Sequence, residues 1–182
     1  GEVKSDCAAL NGLAEAVLAS GANVRVLRDP TRGGVATTLC EFAESAGLGI
    51  ELNEWDIPVR RSVAAACALL GLDPLYSANE GKMLCVVPQE TARTALDAMK
   101  SHPLGADAAI IGRVTEGRRV ILNTRTGGAR VLRKLSGAQL PAMFSAAADM
   151  LSFLFAATLA VALMFLVTVA LMTGLTGLAM VA

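Results

Sequence analysis

The sequence predicts an α/β (α+β) domain, a mixed sheet with packed helices, followed by one C-terminal transmembrane helix. Three observations predict it. Helical and strand periodicities alternate from Ser5 to Lys100, strand patterns then dominate to Leu135, and every charged residue lies at or before Asp149. The chain therefore divides into a folded domain over 1–141, a linker over 142–150 and an uncharged hydrophobic helix over 151–182.

The elements follow in order. Ser5 to Ala19 reads as a helix, with Leu10, Leu13, Ala14, Val17 and Leu18 in helical spacing and Gly21 as a stop. Asn23 to Arg28 alternates as a strand. Arg32 to Ala46 is a second helix, with Leu39, Phe42, Ala43 and Ala46 on one face and Gly47 at its end. Gly49 to Glu54 is a strand, and Arg60 to Leu70 is a helix closed by Gly71. Asp73 to Lys82 forms a loop before a short buried strand, Met83 to Val87. Glu90 to Lys100 is a helix with Ala92, Ala95, Leu96 and Met99 inward. Ala108 to Val114 and Arg119 to Asn123 read as a pair of strands around the turn Glu116-Gly117-Arg118, and Ala129 to Leu135 as one more.

The segment 151–182 would form a helix of roughly 45 Å, longer than the roughly 30 Å of bilayer hydrocarbon. Leu151 to Met172 is its densest apolar part. Arg130, Arg133 and Lys134 precede it and no charge follows, so the positive-inside rule keeps the folded domain cytoplasmic, tethered at the inner face of the membrane. A buried hydrophobic segment is the other reading of this stretch.

Composition narrows the partners. The formal net charge is +0, and no Lys/Arg block is interleaved with aromatics, which argues against nucleic acid. The four cysteines, Cys7, Cys40, Cys67 and Cys85, form no CxxC motif, so a zinc site is not expected. Cys40, Cys67 and Cys85 sit in apolar surroundings and read as core residues of a protein from a reducing compartment.

Two loops carry candidate chemistry. Asp29-Pro30-Thr31-Arg32-Gly33-Gly34 joins the first strand to the second helix. A helix N-terminus offers free N–H groups to an anion, and Asp29 and Thr31 add a metal-capable carboxylate and a hydroxyl. The composition also fits an ordinary Asp-Pro and Gly-Gly turn, and the spacing is neither a Walker A loop nor a dinucleotide fingerprint. Asn79-Glu80-Gly81-Lys82 precedes the buried strand, where Glu80 can present a general base to a cleft or stand as a solvated turn residue. Cys7 is placed at a helix start, and His102, the single histidine, reads as a capping or surface residue.

Together these residues form an ordered set. Ser5-Asp6-Cys7, Arg28 to Ala36, Ile57-Pro58-Val59, Gly71 to Pro74, Ala78 to Lys82, His102 to Gly105 and Ile111-Gly112 resemble the C-terminal half of the hydrogenase maturation factors of the HypE (carbamoyl dehydratase) family. The resemblance covers about residues 1 to 141, and it implies a fold like the C-terminal domain of aminoimidazole ribonucleotide synthetase. It implies a reaction in which ATP phosphorylates the carbamoyl oxygen of a C-terminal cysteine thiocarboxamide and phosphate then leaves to give a thiocyanate, the source of a cyanide ligand for a nickel–iron hydrogenase. The cofactors implied are ATP and Mg, bound mostly by an N-terminal domain. Asp29, Thr31, Arg32, Gly33 and Gly34 would hold phosphate, with Asp29 on the metal; Glu80 would take the amide proton and Asn79 orient it. The partners implied are a HypF-like carbamoyltransferase, the HypC–HypD complex and a second copy of the chain.

Two departures from the family pattern shape the expectation. The N-terminal ATP-binding domain does not precede Gly1, and Leu140-Pro141 is followed by Ala142-Met143-Phe144 where the family ends in Leu-Pro-Arg-Ile-Cys. The chain is therefore expected to be inactive alone. The alternatives are a membrane-anchored, non-catalytic interaction module for the maturation partners and a fragment or frameshift product.

Overall fold

The computed structural model describes residues 5–135. Its centre is a four-stranded sheet with one long helix packed on it. The strands are β2 (Gly49–Asn53), β4 (Gly112–Thr115), β5 (Val120–Asn123) and β6 (Ala129–Leu132), in the order β4-β2-β5-β6. β2 runs antiparallel to β4 and parallel to β5, and β6 is antiparallel to β5. The helix α2 (Gly34–Ala46) lays Ala36, Leu39, Cys40 and Ala43 on this sheet. Alternation along the strands supplies the facing layer: Ile50, Leu52, Val120, Leu122 and Leu132 point in, while Glu51 and Asn53 point out. Leu52 and Leu122 are each 1% exposed, and burial of such a side chain contributes roughly 1.5–3 kcal/mol.

β4 and β5 were expected to pair with each other, and they do not. β2 lies between them, and the residue 116–119 turn arches over its first residue. The Arg119 carbonyl accepts from the Ile50 N–H at 3.0 Å. Gly49 makes the arch possible, because a Cβ there would meet Thr115 Oγ1 at 2.6 Å and the Gly117 carbonyl oxygen at 3.0 Å. A short turn between two strands favours a hairpin locally, but here the alternating apolar strand β2 takes both neighbouring edges.

A second layer holds the remaining elements. β1 (Val26–Arg28) and β3 (Leu84–Val86) form a two-stranded antiparallel ribbon. β3 was expected to be buried; it is half-buried, because it lies in this ribbon rather than inside the larger sheet. α1 (Asn11–Ala19) packs on α4 (Ala92–Ser101), with Leu13, Val17, Ala95 and Leu96 buried. α1 begins at Asn11, not Ser5 as its periodicity suggested. Residues 5–10 are non-helical, since contacts with the loop before β3 hold them there. α3 (Arg61–Leu70) buries Cys67 alone, and the turn Pro74–Tyr76 returns the chain to the core through Leu75.

The fold class expected from the sequence is corrected in one respect. Among the described residues no helix is long and apolar enough to cross a membrane. The longest, α2, has 13 residues, or about 20 Å against about 30 Å of hydrocarbon. The architecture described is thus the mixed-sheet α/β domain without a transmembrane helix. The linker 142–150 and the segment 151–182, on which that expectation fell, lie outside the described residues.

Candidate active site

The register of the ribbon builds the site. Arg28, the last residue of β1, pairs with Leu84, the first of β3. Antiparallel pairing therefore sets the loop leaving β1 beside the loop entering β3. The contact continues past the strands, where the Asn79 N–H donates to the Pro30 carbonyl at 3.1 Å. Two loops about fifty residues apart become the two walls of one cleft.

The cleft has a volume of about 350 Å³. Asp29 and Glu80 line it together with Arg28, over an apolar floor that includes Leu10, Leu27 and Met83. Arg28 is held by an ion pair to Glu41 of α2 at 2.7 Å. The size suits a small ligand, and the combination of apolar floor and few charged groups is that of a binding cleft. Two carboxylates on one cleft repel each other and an anionic ligand unless a cation intervenes. The charge of Arg28 is already matched by Glu41, and Arg32 is exposed at the neighbouring turn.

The other expected residues are not among those lining this cleft. Gly33 and Gly34 are buried and both left-handed, with φ of +76° and +63°. A Cβ on Gly33 would overlap Thr37 Oγ1, and one on Gly34 would lie 2.5 Å from the carbonyl oxygens of Leu75 and Ser77. The two glycines thus let the start of α2 pack against its own first turn and under the Pro74–Ser77 backbone. Thr31 contributes its carbonyl, which accepts from the Gly34 N–H at 3.1 Å. The Asn79 side-chain amide donates to the Ser77 carbonyl at 2.7 Å and so fixes the loop.

Three contacts at the site were not read from the sequence. Lys82 pairs with Asp6 at 3.1 Å, the Cys7 thiol sits 3.9 Å from Glu80 Oε2, and a Cβ on Gly81 would overlap the Asp6 carbonyl oxygen. Burial works to raise the Asp6 carboxyl, but the hydrogen bond and charge of Lys82, with the backbone amides of Asp6 and Glu80, outweigh it and hold Asp6 below the usual carboxylate value. Cys7 is exposed in the non-helical segment and not at a helix start. Burial raises the Cys40 and Cys85 thiols. His102 caps the turn after α4, its Nδ1 accepting from the Leu104 N–H at 3.3 Å.

Oxygen donors at one or two carboxylates are the usual protein contribution to magnesium held against phosphates. Asp29 fits that role in kind. Among the described residues no group of three or more His, Cys, Asp or Glu side chains is gathered for a metal held by protein alone.

Comparison with known proteins gives the family. Residues 1–124 match the family described as AIR synthase related protein, C-terminal domain. The carbamoyl dehydratase HypE of Azotobacter vinelandii is 52% identical over 142 residues, covering 77% of this chain and 42% of the relative. The crystal structure of a HypE–HypF complex superposes with a TM-score of 0.71 at 45% identity, over 74% of this chain and 44% of that one. HypE in complex with ATP gives 0.70 at 44%, over 74% and 43%. The chain thus spans about two fifths of the length of the relatives it matches. It belongs to the AIR synthase related family, and over the matched residues it is a HypE-like C-terminal domain of that family.

Proposed function

We propose that this domain is the C-terminal half of the active site of an ATP-dependent carbamoyl dehydratase in hydrogenase maturation. The observation that carries the reading is the pairing of β1 with β3, which sets Asp29 and Glu80 on one cleft. The ATP complex of a HypE relative and the HypE–HypF complex support it by similarity.

The substrate is a peptide ending in a cysteine thiocarboxamide, supplied by a HypF-like carbamoyltransferase. The amide oxygen attacks the γ-phosphorus of ATP, ADP departs, and the nitrogen gives up the first of its two protons. The phosphorylated intermediate then loses its N–H proton and inorganic phosphate, leaving a thiocyanate for the HypC–HypD complex. Glu80 is the base that takes the proton. Arg32 and the start of α2 face charge building on the transferred phosphoryl group. Magnesium, when bound, neutralises phosphate charge, and Asp29 is the carboxylate that would hold it. A thiol substrate requires a reducing compartment, the cytoplasm among them.

The test mixes the 182-residue chain with the remaining N-terminal part of the Azotobacter vinelandii relative, ATP, magnesium and a carbamoylated cysteine peptide. The expected result is ADP and phosphate in step with loss of one water from the peptide, and none with these residues alone. A mixture that leaves the peptide unchanged, while the whole relative converts it, sinks the reading.

A further inference from the structure

We propose that Asp6 is a positioning residue for Glu80: residues 6–8 clasp the Asn79–Lys82 loop and set the direction in which the Glu80 carboxylate enters the cleft. Consecutive residues engage consecutive residues. Asp6 Oδ2 lies 3.1 Å from Lys82 Nζ, Cys7 Sγ lies 3.9 Å from Glu80 Oε2, and the Asp6 carbonyl fills the space a side chain on Gly81 would need. The Ala8 amide lies over Gly81 as well, 3.3 Å from where its Cβ would stand. Glu80 thereby has a thiol beside its carboxylate, and the residue before it is hydrogen-bonded to Pro30.

Magnitude separates this role from a structural one. The Lys82 and Asp6 side chains are 51% and 36% exposed, and an ion pair so exposed adds little to global stability. A long-range clasp of that kind on an otherwise solvated Glu–Lys turn acts on geometry. A general base must lie within hydrogen-bond reach of its proton, so loss of the clasp lowers turnover and leaves nucleotide affinity in place. The functional half of this proposal rests on Glu80 being the base; the clasp itself does not.

The test uses the full chain with D6N, K82M and the charge swap D6K/K82D. Hydrogen exchange over residues 78–84 and the carboxyl 13C resonance of Glu80, assigned with E80Q, are read first. Both single variants are expected to speed exchange in that segment about tenfold, with α2 and the four-stranded sheet unchanged. They are also expected to move the Glu80 resonance toward that of a solvated glutamate, and the swap to restore both. In the reconstituted reaction kcat falls on the order of tenfold or more with KM for ATP unchanged, and the swap recovers it. An unmoved Glu80 resonance in D6N overturns the proposal, as does a loosened loop with unchanged kcat. Wild-type turnover by E80Q instead overturns the assignment of Glu80 as base, and the exchange data then stand apart from it.

Discussion

Gly34 shows how one residue can be required by packing in addition to the phosphate chemistry its pattern suggested. The glycine pair suggested a phosphate-binding helix start, and both glycines do open α2. Their missing side chains, however, are filled by Thr37 and by the backbone of Leu75 to Ser77. Gly34→Ala adds left-handed strain of roughly 1–2 kcal/mol to a backbone clash, so urea unfolding should show a loss of about 2 kcal/mol or more. The cysteines give a second check. Cys7 is exposed, Cys40 and Cys67 are buried and Cys85 is half-buried, so a thiol reagent on the native chain should modify Cys7 first and all four only after denaturation. Asp6 supplies a pH dependence. Its folded value lies below the ordinary aspartate value of about 3.9, so the clasp contributes in full above that pH and is lost as pH falls through the lowered value. The Asp6 carboxyl 13C resonance should therefore titrate below the ordinary aspartate value; a midpoint above it would show that Lys82 does not hold the carboxylate. None of this was legible at Asp6 itself, because a partner seventy-odd positions away leaves no local pattern.

At the scale of the element, local periodicity carried α2, α3 and α4 and the positions of the strands, since each has its own repeat and stop signal. The apolar face read on α2 was legible in part: Leu39 and Ala43 enter the core and Phe42 packs against it, while Ala46 is exposed. What was not legible was pairing. Adjacent strands β4 and β5 suggested a hairpin, whereas β2 separates them through the arch over Gly49. The same limit hid the site. The two loops could be named from their residues, but their juxtaposition depends on Arg28 facing Leu84, a register no single strand encodes. The sheet core gives the corresponding prediction. Leu122→Ala, at 1% exposure between α2 and β6, should cost about 2–5 kcal/mol in denaturant unfolding. A cost near zero would mean that the packed layer is not the source of stability.

For the whole molecule, the described residues make a packed platform and one cleft. The platform is α2 on its sheet; the cleft is at the mouth of the β1–β3 ribbon, lined by Asp29 and Glu80, and is the proposed site. The chain spans about two fifths of the relatives' length, and the proposed reaction draws on what those relatives carry in addition. The central claim is that Glu80 acts as base in an ATP-dependent dehydration. It is tested most directly by comparing wild-type chain with E80Q in the reconstituted reaction, following thiocyanate formation on the cysteine peptide. General-base loss predicts a fall in kcat of about 10²–10⁴-fold with ATP still bound. Thiocyanate formed by E80Q at the wild-type rate would contradict the account.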